Sequence, residues 1–269
     1  MSDTPSFATR AAFSGAGLAQ HTGDVVIERF DAASARSAAV YVCCGNNEPA
    51  HPLKARNGDR WWTIRPDHLS LEAAGASDDA AADCTQAMSN VLDYLAATQC
   101  ARLRLGARDY VLASPVRLVQ RAGDPVLRFA IKGRGREVSR LVVPPSDVPA
   151  ESGAFSVSFA SDRSEFLASD FSLIATGELQ ANSRCGAAIL ARFARTGEAA
   201  PGHRSVVLSS LDVRDEGGAF KTAIDLAGAS YPLVRDCVFV ASVPSGAARD
   251  GVRFGRGDCA ARLPEGVGA

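Results

Sequence analysis

The sequence lacks a long apolar run and an excess of either charge. No segment is apolar over the roughly 20 residues that a helix needs to cross a membrane. Lysine and arginine number 29 against 30 acidic residues, so the net charge of −1 gives no overall basic character for nucleic-acid binding. The first residues, MSDTPSFATRAAFSGAG, contain no apolar core of a secretory signal. We therefore expect neither a membrane span nor a nucleic-acid partner.

The sequence also lacks the short motifs of metal and nucleotide sites. None of its seven cysteines lies in a CxxC pair, so we expect no zinc site. Their odd number and irregular spacing indicate free thiols, which predicts assembly in a reducing cytoplasm. Gly133-Arg134-Gly135 does not continue into GxGxxG and precedes no predicted helix, and no P-loop or nucleophile elbow is present. We expect no cofactor and no metal.

One convincing helix is present, at residues 83–97. Its apolar residues recur at i, i+3, i+4 and i+7, which places them on one helical face: Met88, Val91, Leu92 and Leu95. Asp78, Asp79 and Asp83 lie where a helix start favours carboxylates. The pattern then changes to alternation, with Leu103 and Leu105 between arginines, which predicts strands.

Residues 70–269 form the larger predicted domain. From about residue 166 the chain repeats itself: Val206–Val213 aligns with Pro232–Phe239 at an offset of 26 residues, and Phe166–Leu173 is an earlier copy. A period in the mid-twenties without helices fits one turn of a parallel β-solenoid. A β-sandwich also has short strands at regular spacing and is the alternative. We predict an all-β parallel solenoid whose open N-terminal end is covered by the helix.

Residues 1–69 form a separate predicted region. Residues 1–20 are rich in small residues without a period, which indicates a free, flexible arm or a segment ordered only by a partner, and we expect this arm to dock onto a larger particle. Farther along, Ala38–Cys43 and Arg60–Ile64 read as strands, and Asn57-Gly58 is a hairpin signal. The last residues, ARLPEGVGA, have no capping pattern. A solenoid needs its last coil covered, so we expect a longer parent protein or a partner there.

From residue 70 to 143 the sequence resembles the pectate-lyase-like superfamily of right-handed parallel β-helices, of the phage tailspike type. The match runs through Ala74-Gly75-Ala76, Asp79, Asp83-Cys84-Thr85 and Ala87-Met88, then Leu103–Leu112 and Ser114–Leu118, and ends in the Gly133-Arg134-Gly135 turn. Cys84 replaces the second Asp of the family's DD pair, and Gly106 and Arg108 replace its Pro and Gly. The resemblance implies a right-handed parallel β-helix with an N-terminal capping helix.

The resemblance also implies a function. Such proteins are found in phage particles and act on polysaccharides by hydrolysis or β-elimination. It implies a spike or fibre component that binds a cell-surface polysaccharide, forms a homotrimer and lies on a virion or extracellular particle. The alternatives are a polysaccharide lyase or glycoside hydrolase, and a structural adaptor without catalytic activity.

The candidate site residues follow from what glycan chemistry needs. Hydrolysis needs two carboxylates, and elimination needs a base and a cation that holds the uronate. The polar positions of the repeats supply candidate catalytic residues, Asp212, Asp215 and Asp236, and candidate substrate-binding residues, Arg214, Arg235 and Arg253. The other interpretation is that these are solvated outward positions or turn formers.

Basic residues are concentrated just before the repeats. Residues 101–145 carry ten lysines and arginines against three acids. Outward positions of alternating strands explain such a cluster. The alternative is a patch that contacts an anionic glycan or a partner subunit.

Overall fold

The computed structural model describes residues 4–18, 23–46, 49–98, 100–144, 152–176, 186–197, 202–216, 220–241 and 250–255. The chain begins with a mixed sheet in the order β1-β2-β3-β5-β4. Its elements are β1 (Ser6–Phe7), α1 (Arg10–Ser14), β2 (Val25–Ile27), β3 (Ala39–Gly45), β4 (Lys54–Asn57) and β5 (Arg60–Ile64). The hairpin signal is confirmed, because β4 and β5 pair antiparallel through a turn in which Gly58 has φ +58°.

The start of the chain differs from the predicted free arm. Strand β1 pairs in parallel with β2, and the hydroxyl of Thr9 accepts a hydrogen bond from the Ala12 N–H at the start of α1. Phe13 of α1 is fully buried, with its ring 5.5 Å from that of Trp62. Burial of this aromatic side chain holds the segment on the sheet.

The predicted helix is α2 (Thr85–Thr98), which follows a short 3-10 turn (Pro66–His68). The four residues of its apolar stripe are fully buried, and the helix contacts the first coil of strands. Gly75, in the motif before the helix, has φ +105°, and a Cβ there would lie 2.9 Å from the Phe30 ring. Within the described residues, no helix has the length and apolar character needed to cross a membrane.

The rest of the described chain winds through three parallel sheets of five strands each. Sheet A contains β6 (Cys100–Arg104), β9 (Arg128–Lys132), β12 (Glu165–Ser169), β15 (Val206–Ser209) and β18 (Leu233–Arg235). Sheet B contains β7 (Asp109–Val111), β10 (Arg140–Val143), β13 (Ser172–Ala175), β16 (Asp212–Asp215) and β19 (Val238–Ala241). Sheet C contains β8 (Val116–Val119), β11 (Gly153–Phe159), β14 (Ala187–Phe193), β17 (Thr222–Ala227) and β20 (Asp250–Gly255).

Each coil contributes one strand to every sheet, so the predicted parallel β-helix is confirmed. The register agrees with the sequence repeat: Leu208 pairs with Val234, and Val213 with Phe239. All pairings within the three sheets are parallel, which rules out the alternative β-sandwich for the described residues. The tail after residue 255 lies outside the described residues, as do Cys185 and Cys259.

Apolar side chains from successive coils stack inside the β-helix. The rings of Phe129, Phe155 and Phe166 are nearly parallel, and their centroids are 5.6 to 6.2 Å apart. Between sheets A and B the chain bends at one residue of left-handed conformation in each of three coils: Asp170, Ser210 and Asp236. Because the bends recur at the same place, the outward side chains of sheet B also stack in rows.

Candidate functional site

The outer face of sheet B carries charged side chains from several coils. Strand alternation sends Tyr110, Leu141 and Val213 into the core and turns their neighbours outward. Asp109 and Arg140 are directly opposite each other on β7 and β10. Their side chains form a two-point ion pair, with Nε to Oδ1 at 2.5 Å and Nη2 to Oδ2 at 2.6 Å. Hydrogen bonding to Asp109 is the main cause that raises the pKa of Arg140 above its ordinary value.

Arg214 joins two carboxylates on the same face. Its Nε donates to Oδ2 of Asp212 at 2.7 Å, and its Nη2 lies 2.5 Å from the same oxygen. Nη2 also donates to Oε1 of Glu137 at 2.9 Å. The hydrogen bond to Asp212 is the main cause that raises the pKa of Arg214. Asp212 and Glu137 thus approach a single guanidinium nitrogen.

Asp212 is the buried member of this group. Its side chain is 4% exposed, against 73% for that of Glu137. Oδ2 is held by Arg214, but Oδ1 is buried with no hydrogen-bond partner. A buried carboxylate oxygen without a donor is costly, but Oδ1 is closed to a ligand, so the groups of this cluster that a ligand can touch are Arg214 and Glu137.

Glu137 reaches Arg214 because the loop of residues 133–139 extends across the coils. Gly133 permits a close approach, since a Cβ there would lie 2.1 Å from the carbonyl oxygen of Asp170. The Ser172 hydroxyl donates to the carbonyl of Arg136, and Arg136 Nη1 donates to the carbonyl of Asp236 at 3.4 Å. The loop therefore begins on the second coil and contacts the third, fourth and fifth.

The other predicted site residues lie in different places. Asp215 is buried, and its carboxylate accepts a hydrogen bond from the Phe220 N–H at 2.9 Å. Arg235 and Asp236 are exposed at the bend between β18 and β19. Arg253 lies on sheet C, with Nε 3.6 Å from Asp225.

The structure therefore brings together only part of the predicted set. Asp212 and Arg214 share one face, and Asp236 lies near it through its contact with Arg136. Glu137, Asp109 and Arg140 complete the cluster but were not predicted as site residues. Among the described residues, no group of three or more potential metal ligands occurs.

Comparison with known proteins finds similar structures but no similar family model or curated sequence. No family model and no curated protein sequence matches the chain. The enzymatically active domain of tailspike protein 2 from bacteriophage CBA120 superposes with a TM-score of 0.59 at 15% identity, over 86% of this chain and 33% of that one. The full-length tailspike protein 2 from Escherichia coli O157:H7 bacteriophage CAB120 gives 0.54 at 14% identity, over 92% and 35%.

The chain has the parallel β-helix fold of phage tailspikes. The predicted resemblance is confirmed at the level of fold. The chain spans about a third of the length of these two tailspikes. The charged face of sheet B is thus part of a tailspike-like β-helix.

Proposed function

We propose that the chain is a spike or fibre component of phage type that binds a cell-surface polysaccharide through the outer face of sheet B. One observation carries the proposal: the partly exposed guanidinium of Arg214, which the buried Asp212 holds and which lies 2.9 Å from the exposed carboxylate of Glu137. Sugar hydroxyls are suitable donors to Glu137, and a sugar hydroxyl, ring oxygen or carboxylate can accept from Arg214. The tailspike-like fold supports a glycan as the ligand.

The neighbouring predicted residues extend this site along the β-helix. Arg235 and Asp236, exposed at the bend one coil beyond Asp212, supply a cation and an acceptor for the next sugar unit. Arg253 lies on sheet C and would contact a different part of the glycan. Asp215 supports the site from inside, because it holds the backbone at Phe220.

A glycoside hydrolase or polysaccharide lyase is the second candidate. Asp212 and Glu137 approach the same nitrogen of Arg214, so two carboxylates lie close together on one face. In retaining glycosidases the two carboxyl groups are about 5–5.5 Å apart. In that reaction the two carboxylates would be the catalytic pair, with Asp212 positioned by Arg214. Asp215 and Asp236 remain predicted catalytic residues from the sequence.

A binding assay with matched variants tests the proposal. Immobilised bacterial surface polysaccharides are screened with the full chain, and the best ligand is then measured with the variants Asp212→Asn and Arg214→Gln. We expect each variant to weaken binding by roughly tenfold or more, as for a lost charge-assisted hydrogen bond. Asp59→Asn is the control, because that side chain is 95% exposed on the N-terminal sheet.

Product analysis separates the two candidates. New reducing ends indicate hydrolysis, and ultraviolet absorbance of an unsaturated uronate indicates elimination. Binding without either product supports a spike or fibre component that binds the polysaccharide without cleaving it. If Asp212→Asn binds the polysaccharide as tightly as the wild type, the proposed site is contradicted. Sedimentation analysis tests the proposed homotrimer, and immunoelectron microscopy of particles tests the proposed virion location and the docking of the N-terminal region.

A further inference from the structure

A second charged region lies where the N-terminal region meets the first two coils. A cleft of about 690 Å³ opens there between residues 36–38 and 67–72 on one side and residues 102–107 and 132–134 on the other. The side of the cleft that contains Leu69 is fixed to the β-helix, because the Arg104 N–H donates to the Leu69 carbonyl at 3.2 Å. Ligand sites commonly enclose roughly 300–1,000 Å³, which accommodates a short oligosaccharide.

Positive charge dominates the lining of this cleft. Five of the lining side chains are cationic: Arg36, Arg102, Arg104, Lys132 and Arg134. The acidic lining residues are Asp67 and Glu72, and both have partners. Arg65 donates to Asp67 at 3.2 Å, and the Tyr110 hydroxyl donates to Glu72.

Most of these cations have no close ion pair within the described residues, although Nη2 of Arg36 lies 3.1 Å from Oε2 of Glu28. Among the residues that the structure describes, no carboxylate forms an ion pair with Arg102, Arg104 or Arg134. Lys132 is 3.8 Å from Asp170, at the long limit of an ion pair, and both side chains are more than a third exposed. Solvent therefore screens this pair strongly.

The β-helix register places like charges directly next to each other. Arg104 on β6 pairs with Lys132 on β9, and Arg102 lies on the same face two residues away. Neighbouring strands are about 4.8 Å apart, and like charges directly opposite each other destabilise a sheet. An anion between Arg104 and Lys132 would remove this repulsion.

We propose that this cleft binds an acidic saccharide through its carboxylate groups, as a site separate from the sheet B face. Guanidinium groups recognise carboxylates through two parallel hydrogen bonds. The hydroxyls of Ser37 and Ser70, 3.2 Å apart in the wall, suit sugar hydroxyls. Apart from His68, the lining has no ring on which a base could stack, which favours a saccharide over single-stranded nucleic acid.

Titration calorimetry with trigalacturonate at low ionic strength tests this site. We expect binding that weakens at about 0.5 M NaCl, because salt screens the charges. The double variant Arg104→Gln/Lys132→Gln should weaken binding by at least about tenfold. Its unfolding midpoint should not fall, since the substitution removes a repulsion. The control is Arg117→Gln/Arg121→Gln, which makes the same charge change on exposed side chains outside the cleft.

Further ligands and one more variant make the test decisive. Neutral maltotriose should not bind at this site, and the control variant Arg117→Gln/Arg121→Gln should leave trigalacturonate binding unchanged. The cleft and the sheet B site use different residues, so either proposal can fail alone. The assignment would be overturned if the double variant bound trigalacturonate as tightly as the wild type does. It would also be overturned if the wild type bound inorganic sulfate as tightly as trigalacturonate, or bound a short oligothymidylate more tightly.

Discussion

Replacing Asp83 tests how the helix is attached to the β-helix. Oδ1 of Asp83 accepts the Thr85 N–H at 2.8 Å, the Thr85 hydroxyl at 2.5 Å and the Ala113 N–H at 3.1 Å. The first two contacts hold the start of α2, and the third reaches the turn between β7 and β8. One oxygen therefore links the helix to the first coil.

The expected loss of stability follows from these contacts. Removal of a side-chain acceptor at a helix start costs about 0.5–2 kcal/mol. Asp83→Ala also leaves the Ala113 N–H without this partner, but both groups are exposed, so water replaces part of the interaction. We expect Asp83→Ala to lower the free energy of unfolding by about 2 kcal/mol. Asp83→Asn keeps an acceptor and should cost about half as much.

The pH dependence gives an independent test of the same contacts. Partial burial acts to raise the pKa of Asp83, but the hydrogen bonds from Thr85 and Ala113 outweigh it and lower the pKa. A lowered pKa in the folded state means that this stabilisation is present above the unfolded value of about 3.9. It is lost as the pH falls through the folded pKa. The difference between the wild type and Asp83→Ala should therefore shrink in acid.

Urea unfolding followed by circular dichroism at about pH 7 and about pH 3 measures both effects. Asp79→Ala is the control, because Asp79 lies in the same acidic segment, and among the described residues its carboxylate accepts the local Ala81 N–H alone. The reasoning is refuted if Asp83→Ala unfolds like the wild type at neutral pH. It is also refuted if the difference is the same at both pH values.

Three further substitutions test the coil and its surface. Phe166→Ala removes one of the three packed rings and should cost about 3–5 kcal/mol in urea unfolding; a loss below about 1 kcal/mol would contradict the packing. Gly228→Ala should lower the melting temperature far more than Gly58→Ala. Both have positive φ, but a Cβ at Gly228 would lie 2.1 Å from the Phe193 carbonyl oxygen, whereas Gly58 has open space. Asp109→Asn should cost under about 1 kcal/mol in urea unfolding, since its ion pair is partly exposed; a loss of several kcal/mol would show that the pair is structural.

The coil could be predicted because its periodic signals lie within short stretches of sequence. The stripe from Met88 to Leu95 gave the helix, and the offset of 26 residues gave the pairing of Val213 with Phe239. That offset also placed Asp236 at the position of Ser210, and both residues have left-handed backbones at equivalent bends. Such features depend on local spacing, which a single sequence displays.

The N-terminal sheet could not be predicted in full, because its contacts are short and non-local. Strand β1 has only two residues, too few to show alternation. Phe13 is apolar within a stretch of small residues, and its burial depends on Trp62, far along the chain. A segment without a repeating apolar pattern cannot be distinguished from a free arm unless the residues that it packs against are known.

The Asp212 cluster was predicted in part for a related reason. Asp212 and Arg214 are two residues apart on a strand, so alternation alone puts them on one face. Glu137 belongs to an irregular loop and is 77 residues from Arg214. Its position depends on the path that Gly133 and Gly135 allow, and no repeat encodes that path.

The two charged regions of the β-helix differ in how their charges are balanced. On sheet B, Arg140 and Arg214 each contact a carboxylate, so the charges of that face are balanced within the protein. In the cleft, Arg104 and Lys132 are stacked as like charges, which costs stability in the free protein. Selection for stability alone would favour an acid at one of these two positions. The unbalanced cleft is therefore the stronger candidate for an anionic ligand, and the balanced face is better suited to a neutral glycan.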